Sequence, residues 1–374
     1  MRAILFVTLA VACTAALFHV PVAIAQAIGP TPPVTPAAPA ITATAALNHA
    51  MIVSISGGAP GATIYYTTDG TAPTAQSTRY LAPFLIASDL TVKAVAITDG
   101  KPGQVSTEKF AAAIPPGALA WSDEFNDAAD LGDKPNPDFW TYDTGHTGFG
   151  NQEFEHYCAW GDATPPCDPA QRNAFVASDG YLHIVARQPT PGVYTSARLK
   201  TEGLLSVVPG SGTIRIEARM KLPEGQGIWP AFWTLGNNIA TDKWPACGEQ
   251  DIMEHINAPK PDWIAGSLHG TNGDTTRHYP TPPDPAFSAA DWHTYGILWS
   301  KGKISFYVDT PANIYATNTP ADFNRPGAVW PFDSGNPVFL LLNLAVGGNW
   351  PKAPDATTKF PAELLVDYVR IYAN

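Results

Sequence analysis

The sequence predicts an all-β protein, an antiparallel two-sheet sandwich or jelly roll, and three observations carry that prediction. Charged residues make up only 15%, while Pro (37) and Gly (31) are abundant, the composition of a turn-rich chain. Apolar and polar residues alternate in short runs, and no long segment repeats with the 3.6-residue period of a helix. Turn signals separate the runs, so they read as strands of two sheets folded onto each other.

The first segment, residues 1–25, reads as a signal peptide. Arg2 supplies a positive start, Ile4 to Phe18 an apolar core, and Ala23-Ile24-Ala25 small residues for cleavage. A membrane anchor or a buried strand is the alternative, but the apolar run is short and interrupted. Cys13 raises a lipoprotein reading, against which Ala10 stands where a lipobox wants Leu. Cleavage leaves about 350 of the 374 residues, enough for two domains. A secreted or periplasmic monomer, with no membrane attachment after cleavage, is the expectation.

Residues 26–40 form a Pro-rich linker. Residues 41–113 then alternate in Met51–Ser56, Ala62–Thr67 and Leu90–Ala96, between Gly, Pro and Asp-Gly turns, and predict a small β-sandwich. The stretch Thr63-Ile-Tyr-Tyr-Thr-Thr-Asp-Gly-Thr-Ala-Pro-Thr74 with Thr91–Ala96 resembles the immunoglobulin-like module at the C-terminal end of chitobiases and hexosaminidases. It reads equally as an auxiliary sugar-binding unit or as a spacer.

Ile114-Pro-Pro-Gly117 marks the boundary to the large domain, residues 118–374. Its strand candidates are Tyr181–Ala186, Gly212–Met220, Lys303–Val308, Val338–Ala345 and Leu364–Tyr372. A net charge of −11 without a basic run argues against nucleic acid or an anionic membrane as a partner and disfavours sulfated polymers. Eleven Trp and thirteen Tyr suit stacking on sugar rings, although many will be core. Cys158 and Cys167 flank a Pro-rich loop and are expected to be bridged, the alternative being two free thiols. Cys247 reads as a small buried hydrophobe.

The chemistry concentrates in Gly248-Glu-Gln-Asp-Ile-Met-Glu254. On a strand Glu249 and Asp251 share a face, and one extra residue, a bulge around Ile252-Met253, returns Glu254 to it. Retaining glycosidases need two carboxyls about 5–5.5 Å apart, one a nucleophile and one an acid/base. With the bulge discounted, the two Glu stand about 13 Å apart at Cα, a gap that side chains leaning inward on a concave sheet can narrow. A solvated acidic edge or a calcium-binding face would be the bland alternative. Trp229, Trp233 and Trp244 stand close in sequence and could wall a groove for sugar faces, or pack as core.

The run Trp244-Pro-Ala-Cys-Gly-Glu-Gln-Asp-Ile-Met-Glu254 resembles the signature of glycoside hydrolase family 16, in its bacterial laminarinase-like branch of endo-β-1,3-glucanases. Trp121–Phe125, Gly225–Trp233, Ser267–Gly270, Leu341–Trp350 and Val366–Tyr372 extend the likeness over residues 118–374. The resemblance implies a jelly roll of the concanavalin-like kind with an open cleft, cutting a neutral β-glucan with no catalytic cofactor. Glu249 is then the nucleophile, Asp251 its helper, Glu254 the acid/base and His269 a neighbour of the acid/base. Asn151 and Arg198 match positions that bind substrate hydroxyls. A structural calcium ion held by Glu124 and Asp367 is implied away from catalysis. Gln250 departs from the pattern, an amide where an aliphatic residue is expected. A non-hydrolytic glucan-binding protein, or an enzyme for agar or carrageenan, remains the competing reading.

Overall fold

The computed structural model describes residues 37–111, 114–126, 132–210, 212–256, 262–281, 284 and 286–373. The signal segment and most of the linker lie outside the described residues. Elsewhere the alternating runs become strands close to where the pattern put them. Met51–Ser56 and Lys303–Val308 keep the expected bounds, and Leu182–Thr190 runs on past Ala186. Among the described residues the α-helical element is the single turn Ile239–Asp242.

Two large sheets face each other. The first runs in the order Ala40–Ala45, Met51–Ser56, Phe84–Ile86, Ser206–Val207, Val338–Val346, Ile228–Gly236, Glu249–Glu254, Ile264–Gly270, Gly273–Tyr279, with Arg198–Lys200 also paired to Val338–Val346 and Thr141–Asp143 paired to Arg198–Lys200. The second is built around Leu182–Thr190, Ala362–Ala373, Ile214–Lys221, Trp292–Ser300 and Lys303–Val308.

The strand Val338–Val346 shows how sequence parity makes both a core and a cleft floor. It is buried along its whole length. Val338, Leu340, Leu342, Leu344 and Val346 enter the inter-sheet core. On the opposite face, Phe339 and Leu341 join one small apolar cluster and Ala345 another, with buried Asn343 between them. Ile228–Gly236 pairs with this strand residue for residue, so Trp229, Ala231, Trp233 and Leu235 share the cleft face while Phe232 packs into the core. Each fully buried Leu or Phe stabilises this arrangement by about 1.5–3 kcal/mol.

The N-terminal module has its own small core of Val53, Ile55, Tyr66, Phe84, Ile86, Val92 and Ala94. One layer is a four-stranded sheet, Thr78–Arg79, Thr63–Thr67, Leu90–Thr98 and Lys101–Phe110 in that order. The other layer does not end at a free edge. Phe84–Ile86 pairs in parallel with Ser206–Val207, so the module and the large domain share one continuous sheet. Ser206 donates to the Pro83 carbonyl through both its backbone N–H (2.9 Å) and its hydroxyl (2.8 Å). Ala50 and Leu85 of the module are counted in the main core itself.

Candidate active site

The acidic strand Glu249–Glu254 carries the predicted bulge. Against Ile228–Gly236, Trp233 faces Asp251 and Phe232 faces Met253, which leaves Ile252 as the extra residue. Against Ile264–Gly270, Asp251 faces Ser267 and Glu254 faces Ala265, the same irregularity. Ile252 and Met253 both drop into the inter-sheet core. Two consecutive inward residues are what turn Glu254 back to the face of Glu249 and Asp251. The strand is entered through Gly248, whose φ of +85° is left-handed and whose position leaves no room for a side chain, a Cβ there standing 2.9 Å from Pro331.

Glu249, Asp251 and Glu254 line one cavity of about 310 Å³ together with Asn151, Arg198, Trp229, Trp233 and Trp244. His269, directly opposite Glu249 on the neighbouring strand, brings Nε2 to 3.2 Å from Asp251 Oδ2. The indoles hold the carboxyls at both ends of the row. Trp244 Nε1 donates to Glu249 at 2.5 Å, and Trp229 Nε1 donates to Glu254 at 3.1 Å. Trp244 is 58% exposed and offers its ring to the cleft, whereas Trp229 is only 9% exposed and serves as floor. Trp233 donates to Asn343 at 2.8 Å, and the Arg198 guanidinium lies 4.6 Å from its ring centroid. Arg198 is fixed in turn by Asp143, Nε to Oδ2 2.9 Å, and Asn151 donates to Glu153 at 3.1 Å.

The electrostatics follow from burying like charges together. Burial and the Asp251 charge push Glu249 up to about 8. Burial, Asp251 and Glu249 push Glu254 well above the ordinary carboxylate range. Burial alone would lower His269, but its contact with Asp251 and the charges of Glu249 and Glu254 outweigh that and raise it to about 9. The row therefore retains protons at neutral pH. The Trp244 N–H and the His269 charge both favour an ionised Glu249.

Four further side chains were not singled out from sequence. Phe149, Glu153 and Asn343 line the cavity, and Trp350 stands edge-on to Trp229 with centroids 5.4 Å apart. Asn343 and Trp350 fall within the run Leu341–Trp350, where an amide at a cleft-facing parity position was the available signal. Glu153 accepts from the Tyr157 hydroxyl at 2.9 Å, Tyr157 accepts from Asn343 at 3.1 Å, and so a buried chain of hydrogen bonds runs beneath the cleft to Trp233.

Other expectations fall outside this site. Cys158 and Cys167 are bridged, their Cα atoms 5.8 Å apart, and do not line the cavity. Cys247 is free and buried. Glu124 and Asp367, the expected calcium ligands, are each paired with an arginine. Glu124 makes a two-pronged pair with Arg370 at 2.9 and 2.8 Å, and Asp367 pairs with Arg219 at 2.6 Å.

The comparisons agree with this geometry. The sequence pattern of glycosyl hydrolases family 16 matches residues 176–362, and a fibronectin type III-associated pattern (Fn3 associated) matches residues 53–110. A beta-glucanase of Rhodothermus marinus is 38% identical, the match covering 68% of this chain and 84% of the relative. A glucan endo-1,3-beta-glucosidase A1 of Niallia circulans is 33% identical over 68% of this chain, but this chain spans only 37% of its length. Among solved structures, the endo-beta-1,3-glucanase of Pyrococcus furiosus superposes with a TM-score of 0.58 at 37% identity, covering 75% of this chain and 97% of that one.

Proposed function

The chain belongs to glycosyl hydrolase family 16, and on that premise we propose that it is a retaining endo-β-1,3-glucanase acting through Glu249 and Glu254. The observation that carries the reading is the acid row: Glu249, Asp251 and Glu254 on one face of a bulged strand, in a cavity walled by indoles. The acidic, aromatic-lined cleft and the net charge of −11 favour an uncharged glucan over a sulfated one.

Glu254, held protonated by its burial and the neighbouring acids, gives its proton to the glycosidic oxygen as the Glu249 carboxylate attacks the anomeric carbon. The bond to the leaving sugar breaks and a glycosyl ester to Glu249 forms. Glu254, now a carboxylate, takes a proton from water, whose oxygen attacks the same carbon and frees Glu249 with net retention. Asp251 lies between the two, and its charge together with burial favours the protonated form of Glu254 before that proton is transferred. No step requires a cofactor. Export to an oxidising compartment is supported by the Cys158–Cys167 bridge.

The purified protein is expected to release oligosaccharides from laminarin, and Glu249→Gln to lower turnover by roughly 10⁴-fold or more. A panel of laminarin, lichenan, agarose and carrageenan reads the linkage. Full activity in Glu249→Gln would remove the assignment, and activity confined to agarose or carrageenan would replace the substrate.

A further inference from the structure

A second cavity, of about 800 Å³, lies between the four-stranded sheet of the N-terminal module and the large domain. Its volume is in the range of ligand pockets, about 300–1,000 Å³. On one side stand Tyr65, Gln76 and Arg79, around the edge strand Thr78–Arg79; on the other stand Asp242, Lys301 and Asn336. The walls are not free to drift, because the module's other layer is hydrogen-bonded into the catalytic sheet through Phe84–Ile86 and Ser206–Val207.

The position of this groove matters as much as its size. The single helical turn Ile239–Asp242 separates it from the catalytic cleft. Ile239 lines the cleft with Trp244 and Glu249, while Thr241 and Asp242 line the groove. A long chain leaving the cleft past Trp244 has only that one turn to cross.

We propose that this groove is a distal binding site for the same neutral β-glucan chain that the cleft cuts, a proposal that rests on the reading of the enzyme as a glucan hydrolase. The chemistry of the lining points to a polyhydroxylated, uncharged ligand. Among the described residues, the Tyr65 hydroxyl, the Gln76 Nε2, the Arg79 guanidinium, the Lys301 ammonium and the Asn336 amide make no hydrogen bond or ion pair within the protein. Such a set of unengaged donors matches ring hydroxyls, and the half-buried Tyr65 adds an aromatic ring of the kind sugars pack against. The three acids of the lining, Asp69, Asp242 and Asp333, offset the two bases and oppose a polyanion. Binding here raises the local concentration of glucan at the cleft without touching the reacting atoms.

The test compares polymeric laminarin with a β-1,3-linked tetrasaccharide too short to bridge the two sites. Tyr65→Ala, Arg79→Ala and Asn336→Ala are each measured beside the wild type, with unfolding midpoints to confirm the fold. The groove variants are expected to raise KM for laminarin about tenfold, the worth of one or two hydrogen bonds, with kcat and tetrasaccharide hydrolysis unchanged. In a Glu249→Gln background the same substitutions are expected to weaken, about tenfold, the retardation of the protein in laminarin-containing native gels. Should Tyr65→Ala fail to fold, the two surface variants decide. Folded variants that treat both substrates as the wild type does overturn the groove, as does an equal loss on both. A wild type that cuts no β-glucan overturns the functional reading instead, and the gel retardation then judges the groove separately.

Discussion

At the scale of single residues, His269 is the cation that acts on both glutamates of the row. Near neutral pH it is held protonated, raised to about 9 by Asp251, Glu249 and Glu254 against the effect of its own burial. Its positive charge lowers both Glu249 and Glu254. Catalysis needs the pair with one proton, so activity rises as the first group ionises and falls as the second proton leaves, at values belonging to the coupled row. Removing the cation raises both. His269→Asn is therefore expected to move the whole bell of kcat/KM to higher pH, by about one unit for a close charge. A bell that stays in place, read in parallel titrations of the two proteins, would show that His269 acts only by packing.

At the scale of the element, the strand Glu249–Glu254 was legible because period-2 alternation fails in it at one definable place. Three acids in six residues cannot all share a face unless a bulge intervenes, and the bulge was found at Ile252. The environment of Gln250 was not legible in that way, because parity says which side it faces but not what it meets. It is fully buried, it faces Thr234 across the ladder, and neither amide atom nor the Thr234 hydroxyl has a partner among the described residues. A buried amide left unpaired costs about 1–3 kcal/mol. Gln250→Met, which keeps the volume and loses the polar atoms, is expected to raise stability by about that amount in chemical denaturation. Its kcat should be unchanged, since Glu249 and Asp251 face the other way. A destabilised Gln250→Met would mean that the amide is satisfied in solution. The arginine partners of Glu124 and Asp367 were not legible either: a motif places the two acids in the chain, but only the fold brings Arg370 and Arg219 to them.

At the scale of the whole molecule, the sequence reads as two units separated at Ile114–Gly117, and the strands of both are found, but the joint between them is not a loose linker. Composition marks a boundary in the chain; it cannot say that Phe84–Ile86 will pair with a strand more than a hundred residues away. That pairing closes the edge that Ser206–Val207 would otherwise expose, and Leu85, 1% exposed, contributes to the main core. Leu85→Ala should accordingly destabilise the large domain as well as the module, by about 2–5 kcal/mol. The full chain is expected to unfold in one calorimetric transition, with Leu85→Ala lowering that single midpoint and the temperature at which hydrolysis of laminarin is lost by the same interval. Two transitions, of which Leu85→Ala moves only one while hydrolysis persists through it, would mean that the shared sheet does not couple the units. A common midpoint would mean that the wall of the distal groove and the floor of the cleft are held by one cooperative structure, as a glucan chain bound to both requires.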